Sequence, residues 1–164
     1  MTEDRPNHPA TSPWRLSVAP MMDYTDKHQR YLQRLLSKQT VLYTEMVTTM
    51  ALVRSGDSNR FLRADLETED PLVLQLGGSD VAEMKAAAKL AYDYGYKEIN
   101  LNVGCPSEKV SGAGCFGAVL YLNPQLVAEL ALSVAEATGT PATVKCRIGV
   151  DDQATADDVE VITL

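Results

Sequence analysis

The stretch Ile99-Asn-Leu-Asn-Val-Gly-Cys-Pro-Ser-Glu-Lys109 decides the fold. Its apolar residues alternate with asparagine, which predicts a short buried strand over 98–103. Gly104 permits backbone angles that other residues avoid, and Pro106 favours an extended conformation at Cys105. A thiol is therefore expected just beyond the carboxyl end of a strand, where parallel α/β folds place their chemistry. The spacing fits equally well with Cys105 as a small buried apolar side chain, which most free cysteines are.

The segment Asn102–Ser107, continued by 109–118, resembles the signature of the tRNA-dihydrouridine synthases. The segment at 18–26, Val-Ala-Pro-Met-Met-Asp-Tyr-Thr-Asp, is similar to the opening strand and loop of that family. Three further segments follow in the order of the family, at 43–49, 75–78 and 144–149. The resemblance covers roughly residues 14 to 152, and Thr-Glu-Met-Val-Thr-Thr at 44–49 points to the A subfamily.

Length and charge limit what the chain can be. Its 164 residues suffice for one core, but a complete (β/α)8 barrel needs at least about 200. The net charge of −7 argues against general affinity for nucleic acids, which requires clustered Lys and Arg. This conflicts with the tRNA substrate that the resemblance implies. In that family much of the positive surface belongs to a carboxyl-terminal helical domain, which we expect to be absent here, and its absence accounts for part of the conflict.

The three cysteines, Cys105, Cys115 and Cys146, form no C-x-x-C pair. The pattern suggests neither a zinc site nor a disulfide framework, and it favours a reducing compartment. The sequence contains no apolar segment long enough to span a membrane, and its first residues lack the apolar core of a signal peptide. We expect a soluble intracellular protein without metal or membrane contact, cytoplasmic, or organellar if the source is eukaryotic.

Residues 1–13 are polar, contain three prolines and are predicted to form a flexible tail. Hydrophobic patterns and turn residues then predict strands at 16–19, 41–44, 71–76, 98–103 and 142–145. Helices are predicted at about 26–37, 46–53, 79–94 and 123–137, with a weaker one at 154–163. The first helix should carry Tyr31, Leu32, Leu35 and Leu36 on one face.

Alternation of this kind predicts a parallel sheet with right-handed crossovers. A barrel and a doubly wound open sheet both fit, although no G-x-G-x-x-G follows the first strand. The resemblance implies an α/β fold of the TIM (β/α)8 barrel type. Residues 14–164 would then form the amino-terminal portion of an FMN-binding barrel, with about five of its eight strands and without the carboxyl-terminal ones.

The resemblance implies FMN as the cofactor and assigns roles to residues near strand ends. The backbone of Pro20, Met21 and Met22 would lie against the flavin ring, and Gln75 would offer a donor and an acceptor to a flavin edge. Lys145 would stabilise the negative charge of the reduced flavin. The residues alone permit other roles: a turn proline with core methionines, a strand-end amide bonded to a loop, and a lysine that extends to solvent.

The reaction of that family reduces the C5–C6 bond of a uridine in the D-loop of tRNA, with NADPH as reductant. Reduced FMN gives a hydride to C6, and Cys105 resembles the acid that protonates C5. An ordinary thiol is mostly protonated at neutral pH and can serve as that acid. Asn102 would contact the uracil, although it could instead bond the turn around Gly104. The base must leave the RNA stack to react.

Two other functions remain possible from the sequence. The chain could belong to another flavin barrel that acts on a free pyrimidine, as dihydroorotate dehydrogenase does. It could also be a non-catalytic fragment that binds RNA or assembles with a second chain. Flavin barrels usually bind the phosphate with loops after strands seven and eight. We therefore expect this chain alone to bind FMN poorly and not to turn over.

Overall fold

A computed structural model describes residues 15–106 and 116–147. The strands are β1 (Leu42–Thr48), β2 (Leu72–Gly77), β3 (Ile99–Val103) and β4 (Thr143–Cys146). The helices are α1 (Lys27–Leu36), α2 (Thr49–Arg54), α3 (Asn59–Leu62), α4 (Leu66–Glu69), α5 (Val81–Tyr94) and α6 (Pro124–Thr138). A 3-10 helix, Gly117–Leu122, precedes α6.

The four strands are parallel and lie side by side in the order of the chain. A doubly wound sheet reverses its strand order at a switch point. Because the described strands show no reversal, right-handed crossovers place all the connecting helices on one face of the sheet. This is the order of consecutive strands in a (β/α)8 barrel, and it confirms the predicted fold class.

The segment predicted as the first strand pairs with its neighbour through one parallel bridge, between Ser17 and Val41. The N–H of Val18 donates to the carbonyl of Val41 at 2.9 Å, and the N–H of Val41 donates to the carbonyl of Leu16 at 3.0 Å. The ladder ends there because Pro20 has no N–H to continue it. The described residues thus form four strands and one bridged segment, where five strands are predicted.

The second strand is longer than predicted and contains a β-bulge between Tyr43 and Met46. The extra residue keeps the chain extended to Thr48, so α2 begins at Thr49 and not near residue 46. The other predicted helices and strands within the described ranges agree with the structure to within one or two residues, whereas α3, α4 and the 3-10 helix at Gly117–Leu122 were not predicted. The predicted tail at 1–13 and the predicted helix at 154–163 lie outside the residues that the structure describes.

Caps delimit the two long helices as the sequence predicts. The carboxylate of Asp80 accepts a hydrogen bond from the N–H of Glu83 at the start of α5, and Gly95 with φ of 121° ends that helix. Asn123 caps α6, and the left-handed Gly139 ends it. Both helices bury their small and aliphatic side chains against the leucines of β2 and β3, and this layer forms the core.

Helix α1 packs against the rest of the chain through its arginines. Arg30 and Arg34 are buried, whereas Tyr31, Leu32, Leu35 and Leu36 are all more than half exposed. Those four residues share one face as predicted, but this face is turned away from the described core. The helix positions of the arginines fall on the opposite side, at the i and i+4 spacing that aligns side chains.

The two arginines bind backbone and carboxylate oxygens around α4. The Nε of Arg30 donates to the carboxylate of Glu69 at 2.5 Å, and both side chains are almost fully buried. Arg34 donates to four backbone carbonyls, among them those of Thr40 at 2.9 Å and Glu69 at 2.8 Å. Burial lowers the pKa of Arg34, and this effect is opposed by the negative charges of Asp70 and Glu69. Helix α1 is therefore held by the hydrogen bonds and the ion pair of its guanidinium groups, and not by its apolar face.

Among the described helices none is both long and apolar enough to cross a membrane. Within the same ranges, no group of three or more His, Cys, Asp or Glu side chains is placed to hold a metal ion. The short helices α3 and α4 connect α2 to β2. Helix α4 ends at Glu69 and so brings its carboxylate to Arg30.

We predict that Glu69→Gln lowers the free energy of unfolding by about 3 kcal/mol, because it leaves the buried charge of Arg30 without a counter-ion. Urea unfolding followed by circular dichroism measures the loss. Asp93→Asn is the control, since it removes a carboxylate from the exposed pair with Lys89 and should change stability little. Equal stability losses in the two variants would contradict the role given to the buried pair.

Candidate functional site

A cavity of about 900 Å³ opens at the carboxyl ends of the four strands. Its walls come from the ends of β1, β2 and β4, from the turn after β3, and from the loop between the bridged segment and α1. The lining includes Pro20, Met22, Asp23, Met46, Thr48, Thr49, Gln75, Gly77, Gly78, Asn102, Gly104, Cys105, Phe116, Lys145 and Arg147. Parallel strands bring their carboxyl ends to one edge, so residues distant in the chain meet there.

The structure brings the predicted site residues together around this cavity, with one exception. Pro20, Met22, Gln75, Asn102, Cys105 and Lys145 all contribute to the lining. Met21 does not line it. The N–H of Met21 donates to the hydroxyl of Thr25, and its carbonyl accepts from the N–H of Thr25 at 2.9 Å. Met21 thus shapes the turn that carries its neighbours to the cavity.

The loop that carries Pro20 and Met22 is tied to the second wall of the cavity. Asp23 adopts the left-handed conformation with φ of 65°, which Asp tolerates better than most side chains. Its N–H donates to the carboxylate of Glu45 at 2.8 Å. Glu45 lies within the bulge of β1, so the extra residue there supplies the acceptor that holds the loop.

Two glycines leave bare backbone at the end of β2. A Cβ on Gly77 would lie 2.7 Å from the sulfur of Met46 and 2.7 Å from the ring of Phe116. A Cβ on Gly78 would lie 2.2 Å from the hydroxyl of Thr49. No larger residue fits either position without moving these neighbours. The absence of side chains here lets Met46, Phe116 and Thr49 pack directly against the backbone of this wall.

Side-chain amides form a continuous chain of hydrogen bonds across β2, β3 and β4. The amide nitrogen of Gln75 donates to the oxygen of Asn100 at 2.8 Å, and the amide nitrogen of Asn102 donates to the oxygen of Gln75 at 2.9 Å. The nitrogen of Asn100 in turn donates to the hydroxyl of Thr143 at 3.0 Å. Gln75 and Asn100 are almost fully buried. The bottom of the cavity is therefore polar but internally satisfied.

The turn that carries Cys105 is held from three sides. The side-chain oxygen of Asn102 accepts hydrogen bonds from the N–H of Gly104 at 3.2 Å and of Cys105 at 3.0 Å. The carbonyl of Cys105 accepts from Ala118 at 2.9 Å, and the carbonyl of Gly104 accepts from the Nε of Arg147 at 2.7 Å. Cys105 is a free, half-buried thiol on a fixed platform at the cavity.

Lys145 lies near the end of β4, beside Asn102 in the register of the sheet. Its side chain is exposed and lines the cavity. The ammonium group forms no hydrogen bond or ion pair with any residue in the described ranges. A cation in this position is available to a negatively charged ligand.

Several residues that build the site were not singled out from the sequence. Asn100 and Thr143 belong to the amide chain, and Thr49, Met46 and Phe116 pack around the glycines. The signal for Asn100 is present, because alternation in a strand places residues 100 and 102 on the same face. Phe116 and Met46 carry no such signal, since their contacts depend on how loops and the bulge fold.

Comparisons with known proteins show which family this chain is similar to. A family model described as "Dihydrouridine synthase (Dus)" matches residues 17–163. The chain is 56% identical over 149 residues to a "tRNA-dihydrouridine(20/20a) synthase" of Pseudomonas syringae pv. tomato, covering 89% of this chain and 44% of that protein. Proteins with the same name from Vibrio parahaemolyticus and Salmonella typhi are 54% and 55% identical, covering 91% and 85% of this chain and 44% and 41% of each relative.

The chain spans less than half the length of these curated relatives. The matched region includes all four strands, the cavity and the turn that carries Cys105. The comparisons also agree with the A subfamily that the segment at 44–49 predicts. This chain belongs to the dihydrouridine synthase family and corresponds to its amino-terminal part.

Proposed function

We propose that this chain forms the wall of an active site that reduces uridine to 5,6-dihydrouridine in the D-loop of tRNA, with FMN as cofactor and NADPH as reductant. The observation that carries the proposal is the meeting of Cys105, Asn102 and Lys145 at one cavity. A weak acid can protonate a ring carbon, an amide can hold a uracil carbonyl, and a cation can stabilise the negative charge of a reduced flavin. The names of the relatives support the choice of tRNA as substrate.

The residues at the cavity are compatible with FMN. The volume of about 900 Å³ is within the range of pockets that hold small-molecule cofactors. Gly77 and Gly78 line the cavity together with Pro20 and Met22 of the loop before α1. Lys145 has no competing acidic partner within the described part of the chain. We assign these residues to FMN, with Lys145 neutralising the negative charge of its reduced form.

The hydrogen bonds of Gln75 and Asn102 limit which donors and acceptors these side chains can still offer to a ligand. One N–H and the oxygen of Gln75 are already engaged by Asn100 and Asn102. The oxygen of Asn102 accepts from Gly104 and Cys105, which leaves its second N–H for a ligand. Asn102 can therefore donate to a uracil carbonyl while it also holds the turn. The two roles weighed for Asn102 from the sequence are compatible.

Bound FMN would supply the hydride for carbon 6 of the uracil. Cys105 would give its proton to carbon 5, because the thiol lines the cavity on a turn that several hydrogen bonds hold. A positioned acid of this kind contributes about 10²–10⁴-fold to the rate. Asn102 would orient the ring by donating to a carbonyl oxygen. These groups line a cavity, so the base has to leave the RNA stack to reach them.

We predict that Lys145→Met raises the dissociation constant of the 164-residue chain for FMN about tenfold, because a single cation near the flavin is lost. Quenching of flavin fluorescence over micromolar to millimolar concentrations measures binding. Lys97→Met is the matched control, since it removes the same charge at the opposite end of the strands, where Lys97 faces Asp70. Equal effects of the two changes would argue against a flavin site at Lys145.

We predict that Cys105→Ser lowers dihydrouridine formation at least 100-fold while flavin binding and bleaching by NADPH persist, because a hydroxyl is a far weaker acid than a thiol. The chain is joined to the remaining carboxyl-terminal part of the Pseudomonas syringae relative, and products in unmodified tRNA are measured by mass spectrometry. Cys146→Ser is the matched control and should retain activity, since Cys146 does not line the cavity. Unchanged product formation by Cys105→Ser would exclude the proposed acid, and reduction of free uracil or orotate without tRNA would exclude the proposed substrate.

A further inference from the structure

We infer that Asn100 is a positioning residue that reinforces the direction of the amide chain and thereby helps to hold the turn of Cys105. Asn100 lies in the middle of β3, two residues before Asn102, and only 2% of its surface is exposed. It joins Gln75 of β2 to Thr143 of β4. Asn100 is not one of the residues that line the cavity. Its influence on the turn therefore passes through other side chains.

The direction of the chain is fixed at the turn, because the hydroxyl of Thr143 at the other end can donate or accept. The N–H groups of Gly104 and Cys105 can only donate, so Asn102 must turn its oxygen toward them. The nitrogen of Asn102 then faces Gln75, which must present its oxygen. Gln75 consequently turns its nitrogen toward Asn100. Each amide has one orientation that satisfies both neighbours.

Asn100 decides whether that orientation is enforced. Its oxygen accepts from Gln75 at 2.8 Å, and its own nitrogen is held by the hydroxyl of Thr143 at 3.0 Å. Without the acceptor at position 100, Gln75 loses one of the two contacts that distinguish its oxygen from its nitrogen, and only Asn102 still holds it. A reversed Gln75 would present a donor to Asn102, which would then turn its own nitrogen toward the N–H groups of the turn. Two donors facing each other in a buried site are unfavourable, so the turn would open more often.

Aspartate at position 100 is the conservative replacement that this logic singles out. A carboxylate accepts with both oxygens, so one accepts from Gln75 as before. The hydroxyl of Thr143 can rotate and donate its hydrogen to the other oxygen. Asn100→Asp thus preserves the direction of the chain, whereas Asn100→Leu keeps a similar volume and removes both hydrogen bonds. The consequence for catalysis rests on the proposed function, but the hold on the turn does not.

The test measures hydrogen exchange at the backbone N–H groups of Gly104 and Cys105 by NMR in the 164-residue chain. Asn100→Leu should accelerate exchange at these two groups about tenfold relative to core amides such as Leu76 and Leu101. Asn100→Asp should keep it within about twofold of wild type. Ser133→Ala is the control, because it removes a buried hydrogen bond in α6 and should leave the ratio of turn to core exchange unchanged.

A second comparison applies if Asn100→Leu does not fold. Thr143→Val should have little effect by itself, but in combination with Asn100→Asp it should accelerate exchange at the turn about tenfold, because a buried carboxylate oxygen then lacks its donor. The inference is overturned if folded Asn100→Leu exchanges like wild type at the turn, or if Asn100→Asp exchanges as fast as Asn100→Leu. Neither measurement uses flavin or tRNA, so failure of the proposed function would leave these results unaffected.

Discussion

The site depends on two backbone N–H groups that need an acceptor once β3 has ended. Gly104 and Cys105 lie beyond the sheet ladder, and the side chain of Asn102 supplies one oxygen to both. Buried backbone donors are rarely left unpaired because the loss of water is not repaid. This requirement orients Asn102, then Gln75, then Asn100, and ends at the hydroxyl of Thr143. The turn of Cys105 and three strands are therefore held by one polar network.

This network also explains how a polar interior coexists with a stable sheet. The face of β2 and β3 toward the helices is built from leucines, an isoleucine and a valine, whereas the opposite face carries amides. Each amide is satisfied by a neighbour on the next strand, so the cost of burial is largely recovered. Within the described residues, one N–H of Asn102, the thiol of Cys105 and the ammonium of Lys145 line the cavity without a hydrogen-bond partner. The proposed chemistry depends on these three groups.

Helix α1 shows a second constraint of the same kind. Its arginines lie inside because the carbonyls around α4 and the carboxylate of Glu69 need donors. Its leucines and Tyr31 consequently face outward and are exposed in this structure. Periodicity identifies which residues of a helix share a face, but it does not determine which face is buried. That depends on partners supplied by residues 35 to 39 positions later in the chain.

The sequence by itself determined a parallel α/β fold, the long helices with their caps, and the place of Cys105 after a strand, because these depend on local periodicity, capping residues and the angles of Gly and Pro. The choice of a barrel over a doubly wound sheet came from the resemblance to the family, since periodicity allowed both. The bulge in β1, the single bridge at Ser17 and the inward arginines of α1 were decided only by the tertiary structure. They arise where backbone groups from distant segments compete for the same partners. The hydrogen-bond partners of Gln75 and Asn102 were likewise decided only by the tertiary structure. The sequence gives the donors and acceptors of each side chain, but not the neighbours to which they bind.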